Sequence, residues 1–204
     1  LRSPLSNIIS LAKLILLEPD EDYEENIHHI LSSGYRMLNM LDASLELYRL
    51  EQGSTKASCK DIELAPLLRG VTKELLSQAQ FKGRKVSIDA GDCTAKGDES
   101  LLWVAMTNII KNALEAGPDH QVSISCSAVE KHTSIVVHNP QYVSEDTKRF
   151  FFDKYFTSGK KKGTGLGTYS AKLMVESMYG EISMSSSAKS GTRVTIALPR
   201  TDSA

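Results

Sequence analysis

Lys160-Lys161-Lys162-Gly163-Thr164-Gly165-Leu166-Gly167 is a basic run feeding a glycine-rich turn, and a helix-patterned stretch, Thr168 to Tyr179, follows directly. Glycines lack a Cβ, so backbone N–H groups there can approach an anion, and the unpaired amides of a helix start add partial positive charge. The stretch reads as a phosphate cradle. It is not a P-loop, because Gly159-Lys160 is followed by Lys161 rather than Ser or Thr and no strand leads into it. It is not a dinucleotide fingerprint either, because its glycines are spaced Gly-x-Gly-x-Gly. Taken alone, the run competes with a plain flexible surface loop.

Upstream, Asn108-Ile109-Ile110-Lys111-Asn112-Ala113 lies in a helical pattern whose apolar members Leu101, Leu102, Val104, Ala105 and Ile109 face a core. Asparagines four apart share one face, so their amide oxygens can converge on a metal ion or its water. A solvated face is the plain alternative. Mg²⁺ takes a few protein oxygens together with phosphate oxygens and water, which such a pair beside a phosphate cradle could serve.

The surrounding texture mixes helices and strands. Leu64 to Lys82 and Asp98 to Ala116 read as helices. Val86 to Ile88, Val122 to Cys126, Ser134 to Val137, Glu181 to Ser185 and Arg193 to Leu198 read as strands, with Ser190-Gly191 as a turn. This mixture predicts an α/β sandwich, one sheet with helices on one face. Before it, residues 1–53 carry a helical period broken at Glu18-Pro19-Asp20, where proline stops the backbone ladder, and Gly53 is a stop signal. Ile27, Gly34, Leu41 and Tyr48 recur by sevens, flanked by Ile30 and Met37 and by Leu31, Leu38 and Leu45. Two antiparallel helices cannot bury a stripe that wide, whereas two copies packed as a four-helix bundle can, so a homodimer is expected. Packing onto the rest of the same chain is the alternative. The fold class is therefore α+β: a helical hairpin over 1–53, then the sandwich over 54–204.

Composition removes several classes of function. The chain has 204 residues, 41% hydrophobic and 24% charged, so it has room for a real core. Lys+Arg 24 against Asp+Glu 25 leaves a formal charge of −1, which favours neither nucleic acid nor an anionic membrane, and any phosphate site must be local. Cys59, Cys93 and Cys126 are far apart, with neither a disulfide framework nor zinc spacing, and fit a reducing cytosolic setting. The longest apolar run, Leu14 to Leu17, is far below a membrane span, so no membrane contact is expected from this stretch. The chain opens at Leu1 without an initiator Met or a signal-like segment and reads as part of something longer.

Together these motifs carry a resemblance. Leu1-Arg2-Ser3-Pro4-Leu5 resembles the tail of the phosphoacceptor motif of sensor histidine kinases. Asn108-x-x-x-Asn112-Ala113 resembles that family's asparagine box, Phe152-Asp153-Lys154-Tyr155 its Phe-x-Pro-Phe box, and Gly163 to Gly167 its second glycine box. Ser190-Gly191-Thr192 with the strand to Pro199 is similar to the family's usual ending. The resemblance implies a dimerisation and histidine-phosphotransfer hairpin followed by a Bergerat-type ATP-binding catalytic domain, with ATP and Mg²⁺ as ligands and a response-regulator receiver domain as partner. Such a core is cytoplasmic, with a membrane anchor elsewhere in the parent protein left open.

Residue by residue, the resemblance implies that Asn112 ligates Mg²⁺ and that Asn108 sits by the phosphates, where related ATPases hold a water-activating glutamate. An amide there disfavours hydrolysis and suits phosphoryl transfer to a side chain. An ATPase reading would need Glu115, two turns away, to serve instead. Gly163, Thr164, Gly165, Leu166 and Gly167 would hold the triphosphate, and Lys160 to Lys162 would lie in a lid anchored by Phe152, Tyr155 and Phe156. Ser3 takes the position of the polar residue that assists regulator dephosphorylation.

Two departures stand out. In the family register the phosphoacceptor histidine falls two places before Leu1, and His28 and His29 read as solvent-facing residues rather than acceptors. In the first glycine box, Asp-x-Gly-x-Gly, this chain has His138-Asn139-Pro140-Gln141. The family's aspartate accepts from the adenine amino group, and Asn139, through its amide oxygen, is the expected substitute. His138 is the alternative, and Gln141 replaces a glycine. A kinase is the leading expectation. Its rival is a degenerate kinase, a dimeric scaffold or phosphotransfer module that no longer binds ATP.

Overall fold

The computed structural model describes residues 2–17, 23–52, 57–116, 121–157 and 165–200. Residues 1–54 and 55–204 form two compact units. In the first, helices α1 (Arg2–Leu17) and α2 (Tyr23–Glu51) pack on each other as an antiparallel hairpin. Helix α1 ends at Leu17, two residues before Pro19 in the sequence. His28 and His29 are exposed on α2, with His29 Nε2 3.6 Å from Glu25 Oε1 one turn earlier.

The second unit runs β1 (Lys60–Glu63), α3 (Leu64–Ser77), β2 (Val86–Asp89), β3 (Thr94–Gly97), α4 (Glu99–Glu115), β4 (Val122–Val129), β5 (His132–Asn139), α5 (Glu145–Lys148), α6 (Gly167–Ser177), β6 (Glu181–Ser187) and β7 (Gly191–Pro199). Five strands form one sheet in the order β2-β4-β5-β7-β6, with β2 and β4 parallel and the other pairs antiparallel. Helices α3, α4 and α6 pack against β2, β5 and β6 respectively. The alternation that makes this a one-sided sheet is plain in β5, where Thr133, Ile135, Val137 and Asn139 are buried and the residues between them are not. The core joins Ile135, Val137, Ile196 and Leu198 of the sheet to Leu68, Leu102, Met106, Ile109 and Val175 of the helices.

Strands β1 and β3 lie outside the sequence expectation, which treats the region up to Lys60 as irregular. They form a separate antiparallel pair, Lys60 to Glu63 against Gly97 to Thr94. Four-residue strands are too short to display a hydrophobic period, and the ribbon is tied to the main sheet instead by Thr133 Oγ1, which donates to Thr94 O at 2.6 Å. The helix expected to reach Lys82 ends at Ser77 and passes into a 3₁₀ turn, Ala79–Phe81. Helix α4 starts one residue after Asp98, whose Oδ1 accepts from the N–H groups of Ser100 (3.0 Å) and Leu101 (3.2 Å) as an N-cap. All three cysteines are free, and burial pushes the Cys126 thiol up to about 12, leaving it protonated at neutral pH.

Candidate functional site

One cavity of about 1060 Å³ opens in the second unit between α4, the ends of β5 and β7, and the start of α6. Asn108 and Asn112 reach it from α4, Asn139 and Gln141 from the end of β5, and Gly165 and Gly167 from the start of α6. On α4 the buried face runs through Ala105, Met106, Ile109 and Ala113, so the two asparagines flank that face at the cavity edge. Glu115, one further turn along, also lines the wall.

Asn108 is held by a bond that the asparagine spacing alone does not foretell. Its Nδ2 donates to Ser170 Oγ at 3.1 Å, and Ser170 Oγ in turn donates to Gly167 O at 3.1 Å. This turns Asn108 Oδ1 toward α6, where a Cβ added at Gly167 would lie 3.5 Å from it. Ser170 was absent from the sequence-derived site, although its place three residues after Gly167 puts it on the same helix face.

At Gly165 the backbone has φ +67, and a Cβ would meet Tyr155 C at 2.4 Å and Phe156 N at 2.7 Å. Tyr155, itself at φ 66, donates its N–H to Gly165 O at 2.9 Å. Gly165 is therefore required by its contact with the Tyr155-Phe156 backbone, a closer demand than the space for a ligand. Phe156 lines the cavity and stacks at 5.4 Å on Phe150, while Thr168 Oγ1 donates to Phe151 O at 2.7 Å. Phe152 packs edge-on to Phe151 at 5.0 Å, and Tyr155 is exposed. Leu166 immediately precedes α6 in helical torsion. Lys160, Gly163 and Thr164 lie outside the described residues, as does the side chain of Ser3 in α1.

The far end of the cavity is closed by a directional hydrogen-bond chain. Val143 N–H donates to Ser186 Oγ (2.9 Å) and Thr192 Oγ1 donates to Gln141 O (2.6 Å). The 2.8 Å contact between the two hydroxyls then runs from Ser186 to Thr192, because the Thr192 proton is already committed. Asn139 Oδ1 accepts the Gln141 N–H at 2.9 Å, so the amide oxygen expected to face a base already has a partner inside its own loop. Among the described residues the non-glycine positive-φ positions are Glu130, Tyr155 and Tyr179, so the loop accommodates a side chain at Gln141 without left-handed torsion. His138 alternates to the opposite face of the sheet, with Nε2 donating to Ser190 O at 2.8 Å, and does not line the cavity.

Residues 97–202, more than half of the chain, match the family described as Histidine kinase-, DNA gyrase B-, and HSP90-like ATPase, and residues 1–53 match the His Kinase A (phospho-acceptor) domain. The chain belongs to the sensor histidine kinases of two-component systems. It is 24% identical to the sensor histidine kinase CusS of Escherichia coli O157:H7 and 28% identical to RppB of Synechocystis, each over 98% of this chain. It spans 43% of the first and 46% of the second, less than half the length of either relative. Its fold matches the histidine kinase AdeS of Acinetobacter baumannii with a TM-score of 0.79 at 16% identity, covering 98% of this chain and 97% of that one.

The family binds ATP, and the histidine kinase cavity has the size and lining for a nucleoside triphosphate. Drug-sized ligand pockets run about 300–1,000 Å³, and this one, at about 1060 Å³, is at the top of that scale, with polar amides and apolar Val137, Val194 and Ile109 sharing its lining. Among the described residues no cluster of three or more His, Cys, Asp or Glu could hold a metal by itself. No helix among the described residues is long and apolar enough to cross a membrane.

Proposed function

We propose that this chain is the cytoplasmic core of a sensor kinase that binds Mg²⁺-ATP, phosphorylates a histidine and passes the phosphoryl group to a response-regulator aspartate. Residues 1–53 serve as the dimerisation and phosphotransfer hairpin and residues 54–204 as the catalytic ATP-binding domain. The observation that carries this reading is the convergence of Asn108, Asn112, Gly165 and Gly167 on one cavity.

ATP supplies the transferable phosphoryl group, and the residues of the chain supply position. Asn112 would hold Mg²⁺ through its amide oxygen. Gly163, Thr164, Gly165, Leu166 and Gly167 would hold the triphosphate through their backbone N–H groups, and Lys160 would add positive charge to it. Asn108, oriented by Ser170, is a poor general base, so water beside the phosphates is not activated and the phosphoryl group goes to a side chain. Asn139 borders the base. Ser3 on the hairpin orients water for regulator dephosphorylation.

Isothermal titration of the 204-residue chain with ATP tests the reading. Binding that requires Mg²⁺ and loses that requirement in Asn112→Ala is the expected result. An absence of heat at millimolar ATP with Mg²⁺ leaves the kinase reading without its substrate site.

A further inference from the structure

Asn139 is the last inward-facing residue of β5, and the direction of its carboxamide is set by its own loop. The Gln141 N–H can donate only to an oxygen, so the 2.9 Å bond assigns Oδ1 to the loop side. Nδ2 takes the other direction. Among the described residues Nδ2 makes no hydrogen bond, and it is not sealed from solvent, while Asn139 is largely buried and lines the cavity.

The neighbouring backbone and hydroxyl groups are tied up within the chain, while the exposed Gln141 also lines the cavity. Thr192, the cross-strand partner of Asn139, donates to Gln141 O and receives the Ser186 hydroxyl, while Val143 N–H is spent on Ser186. Val137 and Val194 bring apolar side chains to the wall beside the pair of Asn139 and Thr192, so Nδ2 of Asn139 is its buried polar group. The polar group it offers a ligand is thus an amide donor. A carboxylate at 139 would keep the bond to Gln141 N–H and present a second oxygen instead. The single change from carboxylate to carboxamide therefore inverts the hydrogen-bonding polarity of the wall.

Resting on the reading of this cavity as a nucleotide site, we propose that Asn139 is a specificity-determining residue that favours a base with an acceptor at position 6, a 6-oxopurine, over adenine. Adenine places an amino donor at position 6, which would face a donor. Hypoxanthine and guanine place a keto oxygen there, which accepts from Nδ2. A site that leaves a buried donor facing a donor discriminates more sharply than one that only loses packing, and a preference of about tenfold is the scale expected.

The test titrates the whole 204-residue chain with Mg²⁺-ATP and with Mg²⁺-inosine triphosphate, which changes the purine edge without adding the 2-amino group of guanine. Inosine triphosphate is expected to bind about tenfold more tightly than ATP. Asn139→Asp keeps the acceptor for Gln141 N–H and should swing the ratio about tenfold toward ATP, equivalent to about 1.4 kcal/mol. Equal affinity for the two, or any preference for ATP, in the unmodified chain overturns this inference and leaves the kinase reading standing. Equal loss of both nucleotides in Asn139→Asp also overturns it, because a merely structural role would move both together. Binding of neither nucleotide overturns the nucleotide reading of the cavity, and this inference with it.

Discussion

Asn108 Nδ2 donates to Ser170 Oγ across 3.1 Å, joining the middle of α4 to the first turn of α6. Both asparagine and serine are polar residues at a seam between two packed helices, and the bond turns the Asn108 carbonyl toward the glycine end of the cavity. Ser170→Ala should therefore do two things at once. Losing one net hydrogen bond should cost about 0.5–1.5 kcal/mol of stability, measurable by urea unfolding followed through Trp103 on α4, the one tryptophan of the chain. Nucleotide affinity should also fall several-fold, because the Asn108 amide becomes free to rotate. Unchanged affinity alongside lowered stability would confine Ser170 to packing.

Gly165 and Gly167 offer a sharper contrast than either does alone. Gly165→Ala places a Cβ 2.4 Å from Tyr155 C in a left-handed backbone, whereas at Gly167 the nearest atom, Asn108 Oδ1, is 3.5 Å away, an ordinary contact. Left-handed torsion by itself costs an L-residue about 1–2 kcal/mol, and the backbone clash adds to it. Gly165→Ala should thus open the clasp with Tyr155 and abolish nucleotide binding in calorimetry, while Gly167→Ala keeps most of it. Equal effects of the two would show that the clasp does not shape the site.

Thr192→Val tests the hydrogen-bond chain at the other end. Valine matches threonine in shape but strands Gln141 O and the proton of the buried Ser186 hydroxyl, whose oxygen keeps the Val143 N–H. An unsatisfied buried group costs about 1–3 kcal/mol, so the urea midpoint should drop by the corresponding amount without a change in slope. A loss below about 0.5 kcal/mol would mean that water takes over both partners.

How much of this was legible in sequence depends on the range of the interaction. The α4 pattern from Leu101 to Ile109 and the alternation in β5 are local periods, and the helices and strands lie there with shifts of a few residues at their ends. The asparagine spacing and the glycine run likewise announce themselves by composition, and the fold brings Asn108, Asn112, Gly165 and Gly167 to one cavity. Long-range polar pairs leave no such mark. Ser170 is 62 residues from Asn108, and Thr192 is 51 from Gln141, so neither spacing singles them out. Even the short Asn139 to Gln141 bond escaped notice, because expecting an acceptor at 139 says nothing about which end of the carboxamide the loop consumes.

Asp98 makes the start of α4 sensitive to acid. Burial pushes its carboxyl up, but the Ser100 hydroxyl and the N–H groups of Ser58, Leu101 and Ser100 together outweigh it and hold the carboxyl below its ordinary value. A carboxylate with a depressed folded pKa adds stability above its unfolded pKa of 3.8, and that stability is lost as pH falls through the folded value. Asp98→Asn should therefore lower stability at pH 7 and narrow its difference from the unmodified chain as pH drops below 3.8. Asp98→Ala, which removes the cap, should cost about 1 kcal/mol at neutral pH. Parallel stability curves for Asp98→Asn and the unmodified chain from pH 7 to the acid transition would contradict the assignment.

The hairpin leaves its own apolar stripe uncovered. Leu41 is 41% exposed, Leu45 55% and Tyr48 60%, and on α1 Ile9 and Leu14 are similarly open. Ile27 and Leu31, toward the start of α2, are exposed as well, so exposed apolar side chains recur along the helix. A second copy presenting the same strip across a two-fold axis would bury it, at about 25 cal/mol for each Å² of apolar surface covered. Light scattering of the unmodified chain should then give the mass of two chains. Leu41→Asp would bury an unpaired carboxylate in that interface and should return the mass of one. Trp103 lies in the other compact unit, so its urea transition should persist in Leu41→Asp and separate loss of pairing from loss of fold. A single-chain mass for the unmodified protein at high micromolar concentration would rule out pairing through this strip.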